Sequence, residues 1–129
     1  MKKRVYLAGM VLGGMVFLTG CLFPRYTTIC EIQPPEADSG AMTPAEASAV
    51  VRKMIKDVPA GHHPDHPGDE VLGRTATSVR LRKHNRTGLV LVEVFANSRV
   101  MMEFYVRTQK DGEKFSAAVW RLRREYQGK

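Results

Sequence analysis

Leu89-Val90-Leu91-Val92-Glu93-Val94-Phe95-Ala96-Asn97-Ser98-Arg99-Val100-Met101-Met102-Glu103-Phe104-Tyr105-Val106 is the stretch whose reading decides the fold. Its hydrophobicity alternates with period two on both sides of a polar turn, which predicts a β-hairpin. A three-residue loop at Asn97 to Arg99 sets Val94 opposite Met102 and Val92 opposite Phe104. Working backwards, a strand over residues 74–83 joins through a four-residue loop, Asn85 to Gly88, which sets Leu81 opposite Val92. Working forwards, Asp111-Gly112 is a strong hairpin signal, and a fourth strand over 114–123 sets Phe104 opposite Val119 and Val106 opposite Ala117. All three hairpins then place Val79, Leu81, Val90, Val92, Val94, Met102, Phe104, Val106, Phe115, Ala117 and Val119 on one face. A slip of one residue would scatter that set, so the agreement fixes the register.

The last segment also fits a helix, because Phe115, Ala118, Val119, Leu122 and Tyr126 recur at helical spacing; the Asp-Gly pair favours the strand. Upstream, Thr43-Pro44-Ala45-Glu46 combines an N-cap, a proline at the first helical position and a capping-box glutamate. Ala47, Val50, Val51, Met54 and Ile55 continue it as one apolar face until Pro59. The expected fold is α+β, with one N-terminal helix packed on a four-stranded antiparallel β-meander over residues 43–129. That order resembles the cystatin-like and nuclear-transport-factor-like topologies, in which a curved sheet wraps a helix. A topological likeness implies no function.

The start of the chain has a different character. Met1 to Arg4 is basic, residues 5–18 are apolar, and small residues follow, which is the layout of a secretory signal. The apolar run is shorter than the roughly 20 residues a membrane span requires. Leu18-Thr19-Gly20-Cys21 closes it, and this aliphatic, small, small, cysteine order resembles the lipobox of bacterial lipoproteins. The resemblance implies removal of residues 1–20, a diacylglyceryl thioether on Cys21 and an acyl chain on the new amine. Two or three chains anchor stably where one binds reversibly. Leu22 stands where an aspartate would resemble the inner-membrane retention signal, so the implied location is the periplasmic face of the outer membrane. Residues 21–42, with Pro24, Pro34, Pro35, Ser39 and Gly40, read as a flexible tether.

Export bears on the remaining features. Of the 20 basic side chains, Lys2, Lys3 and Arg4 belong to the signal, so the mature surplus over 13 acidic ones is small. Two basic runs remain, Arg80, Arg82, Lys83 and Arg86, then Arg121, Arg123 and Arg124. They read as a solvated rim with Arg80 facing Glu93, not as a nucleic-acid site, since no aromatic ladder interleaves them. Cys30, without an intrachain partner once Cys21 is lipidated, reads as a free thiol, with an intermolecular disulfide as the alternative.

Two features are candidates for binding. The second face of the sheet carries Leu91, Phe95, Met101, Tyr105, Trp120 and Leu122 beside Arg80, Arg82, Glu93 and Glu103, the composition of a contact surface for an envelope protein or a second copy. His62, His63 and His66, in a proline-bounded loop with Asp65 and Asp69, are of the types that hold zinc or copper. For an enzyme, a hydrolase included, the chain has no Gly-x-Ser-x-Gly elbow, no His-Glu-x-x-His pair and no phosphate-cradling glycine loop. The expectation is a non-catalytic, lipid-anchored binding protein of the bacterial envelope, with metal binding as the alternative.

Overall fold

The computed structural model describes residues 24–36, 42–59 and 64–127; the signal, Cys21, His62 and His63 lie outside them. The elements run β1 (Tyr26–Ile32), α1 (Pro44–Lys56), α2 (Asp69–Thr75), β2 (Ser78–His84), β3 (Val90–Ala96), β4 (Arg99–Val106) and α3 (Gln109–Gln127). The described residues form an α+β fold: four antiparallel strands in the order β1-β2-β3-β4, with three helices. This is not the one-helix-then-four-strands order of the cystatin-like expectation.

The central register is the one that the alternation dictates. Leu81 pairs with Val92 and Arg80 with Glu93, while Val92 pairs with Phe104 and Val94 with Met102. The β3–β4 connection reaches that register by another route. Asn97 adopts a φ of 58°, Ala96 pairs with Arg99 across a two-residue turn, and an irregularity between Val94 and Phe95 absorbs the extra residue of β4.

Three expectations are corrected. First, the fourth strand is not residues 114–123 but β1, drawn from the supposed tether and paired with β2 from Tyr26 opposite His84 to Ile32 opposite Val79. Tyr-Thr-Thr-Ile-Cys-Glu-Ile is rich in β-branched residues, and the prolines that suggested a tether fall on either side of it.

Second, residues 114–123 lie inside α3. Thr108 stands before the helix as its cap: its hydroxyl accepts the Asp111 N–H at 3.2 Å and its carbonyl the Gly112 N–H at 3.3 Å. Gly112 serves packing, since a Cβ there would sit 2.8 Å from Leu81 Cδ2. As a helix the segment turns Phe115, Ala118, Val119 and Leu122 together onto the core, and burial of each large side chain is worth about 1.5–3 kcal/mol. Phe115 meets Phe104 edge-on at 4.8 Å between centroids. Trp120 and Leu122, expected on the outer face of the sheet, are therefore helical and buried, 5 % and 2 % exposed.

Third, residues 69–75 form α2, where loop and strand were expected. Asp69 and Glu70 lie in its first turn and Arg74 in its last, each sign at the favourable end of the helix dipole.

The capping box of α1 is as read: Thr43 and Glu46 exchange hydrogen bonds of 3.2 Å. Ala47, Val51 and Ile55 of α1, Leu72 of α2 and the apolar stripe of α3 join the inner side chains of β2, β3 and β4 in one cluster. α1 and α2 pack chiefly on α3, and α3 packs on the sheet. The second basic run is absorbed into this scaffold, Arg121 donating to the Met42 carbonyl at 2.8 Å and Arg123 to that of Ala76 at 2.5 Å. Among the described residues no helix is long and apolar enough to cross a membrane.

The closest approach of α2 to α3 is at Gly73, where a Cβ would meet the Leu122 carbonyl oxygen at 2.7 Å and Tyr126 Cδ2 at 2.9 Å. Gly73→Ala gains about 1 kcal/mol of helix propensity, but forcing a backbone oxygen aside costs about 1–3 kcal/mol. The expected net loss is up to about 2 kcal/mol, read as a lower urea midpoint at unchanged m-value.

Candidate functional site: the open face of the sheet

With every helix contributing to the inner cluster, the other face presents side chains from strands alone. Met101, the extra residue of β4, lies on the helical side instead, packed against the core cluster and 3.6 Å from the Thr75 hydroxyl of α2. Three of the six contact residues expected on the open face are there, Leu91 and Phe95 from β3 and Tyr105 from β4. Trp120 and Leu122 are not. Instead Trp120 lines a separate recess of ≈ 310 Å³ between the end of β1 and α3, together with Ile32, Met42 and Ser116.

At the middle of the open face lies Glu93, whose side chain is 5 % exposed. Arg80, its cross-strand partner, grips both carboxylate oxygens, Nε to Oε1 at 3.0 Å and Nη2 to Oε2 at 3.2 Å. Arg82 Nη1 approaches Oε1 at 3.7 Å from the other side. The hydrogen bond to Glu93 is the main reason that the Arg80 guanidinium titrates even higher than usual. Both arginines are also covered by rings, Arg80 over Phe95 at 4.9 Å and Arg82 over Tyr26 at 4.6 Å. Glu93 thus compensates part of the charge of the basic run at Arg80 and Arg82 where it sits. Glu103, the cross-strand partner of Glu93, remains exposed.

Sequence reasoning missed Tyr26, because it was assigned to the tether. From the edge strand β1 it reaches across the sheet to Tyr105 on the opposite edge, the two hydroxyls 2.5 Å apart. His84 lies between them, edge-on to both rings at 5.2 and 6.2 Å. Leu91 sits close by and is only 7 % exposed. Tyr26, Arg82, Leu91, Glu93, Glu103 and Tyr105 bound a shallow depression of ≈ 370 Å³. Burial, and then the hydrogen bond to Tyr26, push the Tyr105 phenol up to about 12. The surface is thus aromatic and amphipathic, with cross-strand contacts linking β1 to β4.

The histidine loop is only partly described. His66 Nε2 lies 3.5 Å from Asp69 Oδ1. Asp69 also accepts from the Ser48 hydroxyl and faces Arg52 Nη2 at 3.5 Å, so these contacts tie the start of α2 to α1. Among the described residues no three His, Cys, Asp or Glu side chains gather as metal ligands. Cys30 is free and half-buried on β1. Burial, then the charge of Glu113, raise its thiol pKa, which disfavours the nucleophilic thiolate.

No protein-family model, curated protein or solved structure matches the chain. The assignment of a role therefore rests on the chemistry of these faces.

The Tyr26–Tyr105 pair is open to a direct test. A phenol raised from 10.0 to about 12 on folding favours the folded state fully below about pH 10, and that contribution is lost as pH rises towards 12. Phenolate absorbance should show one tyrosine ionising near 12 in the folded protein. Tyr26→Phe removes the hydrogen bond but not the burial, so the value should fall part of the way back towards 10.0.

Proposed function

We propose that this chain is a lipid-anchored, non-catalytic binding protein of the bacterial cell envelope, and that the open face of its sheet is the contact surface. The observation that carries the binding reading is the character of that face. Leu91, Phe95 and Tyr105 lie on the side of the sheet away from the helical core, around the Arg80–Glu93 ion pair, with Arg82 close to the same carboxylate. Aromatic and apolar side chains with arginine, around a partly compensated charge at the centre, are the composition of a protein contact core. Tyr26 extends the face to the edge strand.

The anchor is read from Leu18-Thr19-Gly20-Cys21. It makes the periplasmic face of the outer membrane the setting, and an envelope protein or a second copy of the chain the occupant of the face.

A photo-crosslinking residue at Phe95 or Tyr105, introduced in the full chain and activated in cells, should yield a discrete adduct. The same residue at Glu70, exposed on α2 at the far side of the fold, should yield none. Equal adducts at all three positions, or none at any, would rule out the open face as the contact surface.

A further inference from the structure

If Cys21 carries lipid, β1 determines how the domain sits on the membrane. A tether over residues 21–42 would let the domain stand off in any orientation. Instead the sheet begins at Tyr26, and the chain is already fastened two residues earlier. Asn85, in the β2–β3 turn, donates from its side chain to the Pro24 carbonyl at 2.8 Å and from its backbone to the Arg25 carbonyl at 2.8 Å. Its amide oxygen accepts the Thr27 hydroxyl at 3.0 Å. Between Cys21 and Pro24 the chain can span only roughly 10 Å. The lipid exit is therefore fixed at one end of the sheet, within about a Debye length of the headgroups.

That end is the basic one. Arg25, Lys83 and Arg86 surround the fastening point. Because β4 runs back towards the same end, Arg107 and Lys110 at its junction with α3 lie there too. All five are exposed, and none has an ion-pair partner among the described residues. At the opposite end Arg74 is paired with Glu70, and Arg52 and His66 with Asp69, leaving Arg99 exposed at the β3–β4 turn. At the anchor end Arg107 shares a recess with Lys53 and Lys114 as well as with Asp57 and Asp111, so basic side chains remain in excess where the anchor would emerge.

We infer that this end of the sheet, centred on Arg25, Lys83 and Arg86, docks on anionic phospholipid headgroups, so that the strands stand on the membrane and the open face is presented sideways. The proposal rests on the lipid-anchor reading and adds an orientation to it. Each basic residue near an anionic surface strengthens the association about five-fold, so five of them hold a tethered domain against its rotational freedom.

The test uses the full, processed chain in vesicles of phosphatidylethanolamine and phosphatidylglycerol, with a fluorophore at Thr87→Cys or Ser98→Cys in a Cys30→Ala background. These positions occupy the two ends of β3, and a nitroxide carried on lipid headgroups serves as quencher. Quenching at position 87 should exceed that at 98 several-fold, and the difference should vanish in R25E/R86E. The mass of each preparation reports the state of Cys21. Equal quenching with lipid on Cys21 would overturn the orientation and leave the anchor standing; an unmodified Cys21 would overturn both.

Discussion

The inner face of the β2–β3–β4 meander must be covered, and the rest of the structure follows from how that is done. Val79, Leu81, Val92 and Val94 are fully buried, so a helix long enough to cross the sheet is required. α3 supplies it: Phe115 packs against Phe104, Gly112 lets the helix settle on Leu81, and Gly73 lets α2 settle on α3. α1 and α2 then find their places against α3 more than against the strands. With all three helices drawn to one side, the other side of the sheet stabilises itself through the Arg80–Glu93–Arg82 cluster and its aromatic covers.

Much of this was legible where one physical rule acted alone. Strict alternation with one buried face dictates the pairing of β2 with β3, and that of β3 with β4 as far as Val94; the bulge beyond Val94 leaves no mark in the alternation. The N-cap, proline and glutamate of α1 compete with nothing else. The reading went astray where two rules overlapped. Asp111-Gly112 has hairpin chemistry, yet Thr108-Gln109-Lys110-Asp111 just before it has the spacing of a capping box. Tertiary demand for a cover decided between them. Trp120 and Leu122 moved from the open face to the core through that one substitution of period.

β1 and α2 were obscured for different reasons. β1 is a single short edge strand flanked by prolines, and nothing local says which strand it will pair with; its partner is about fifty residues away. α2 is two turns with a glycine inside, too short for a periodic signal, and its stability comes from Leu72 and from the close approach at Gly73. Tyr26 was lost from the candidate site together with β1. That strand brings the open face close in sequence to the proposed anchor, because the residues that carry Tyr26 onto the face leave only a few residues between the fastened chain at Pro24 and Cys21.

The proposed attachment of this fold to a membrane is a lipid on Cys21, and it is tested most directly by the intact mass of the chain extracted from bacterial membranes. It predicts a mature chain beginning at Cys21 with a diacylglyceryl thioether and an acylated amine. A chain retaining Met1 to Gly20 with a free Cys21 thiol would contradict it.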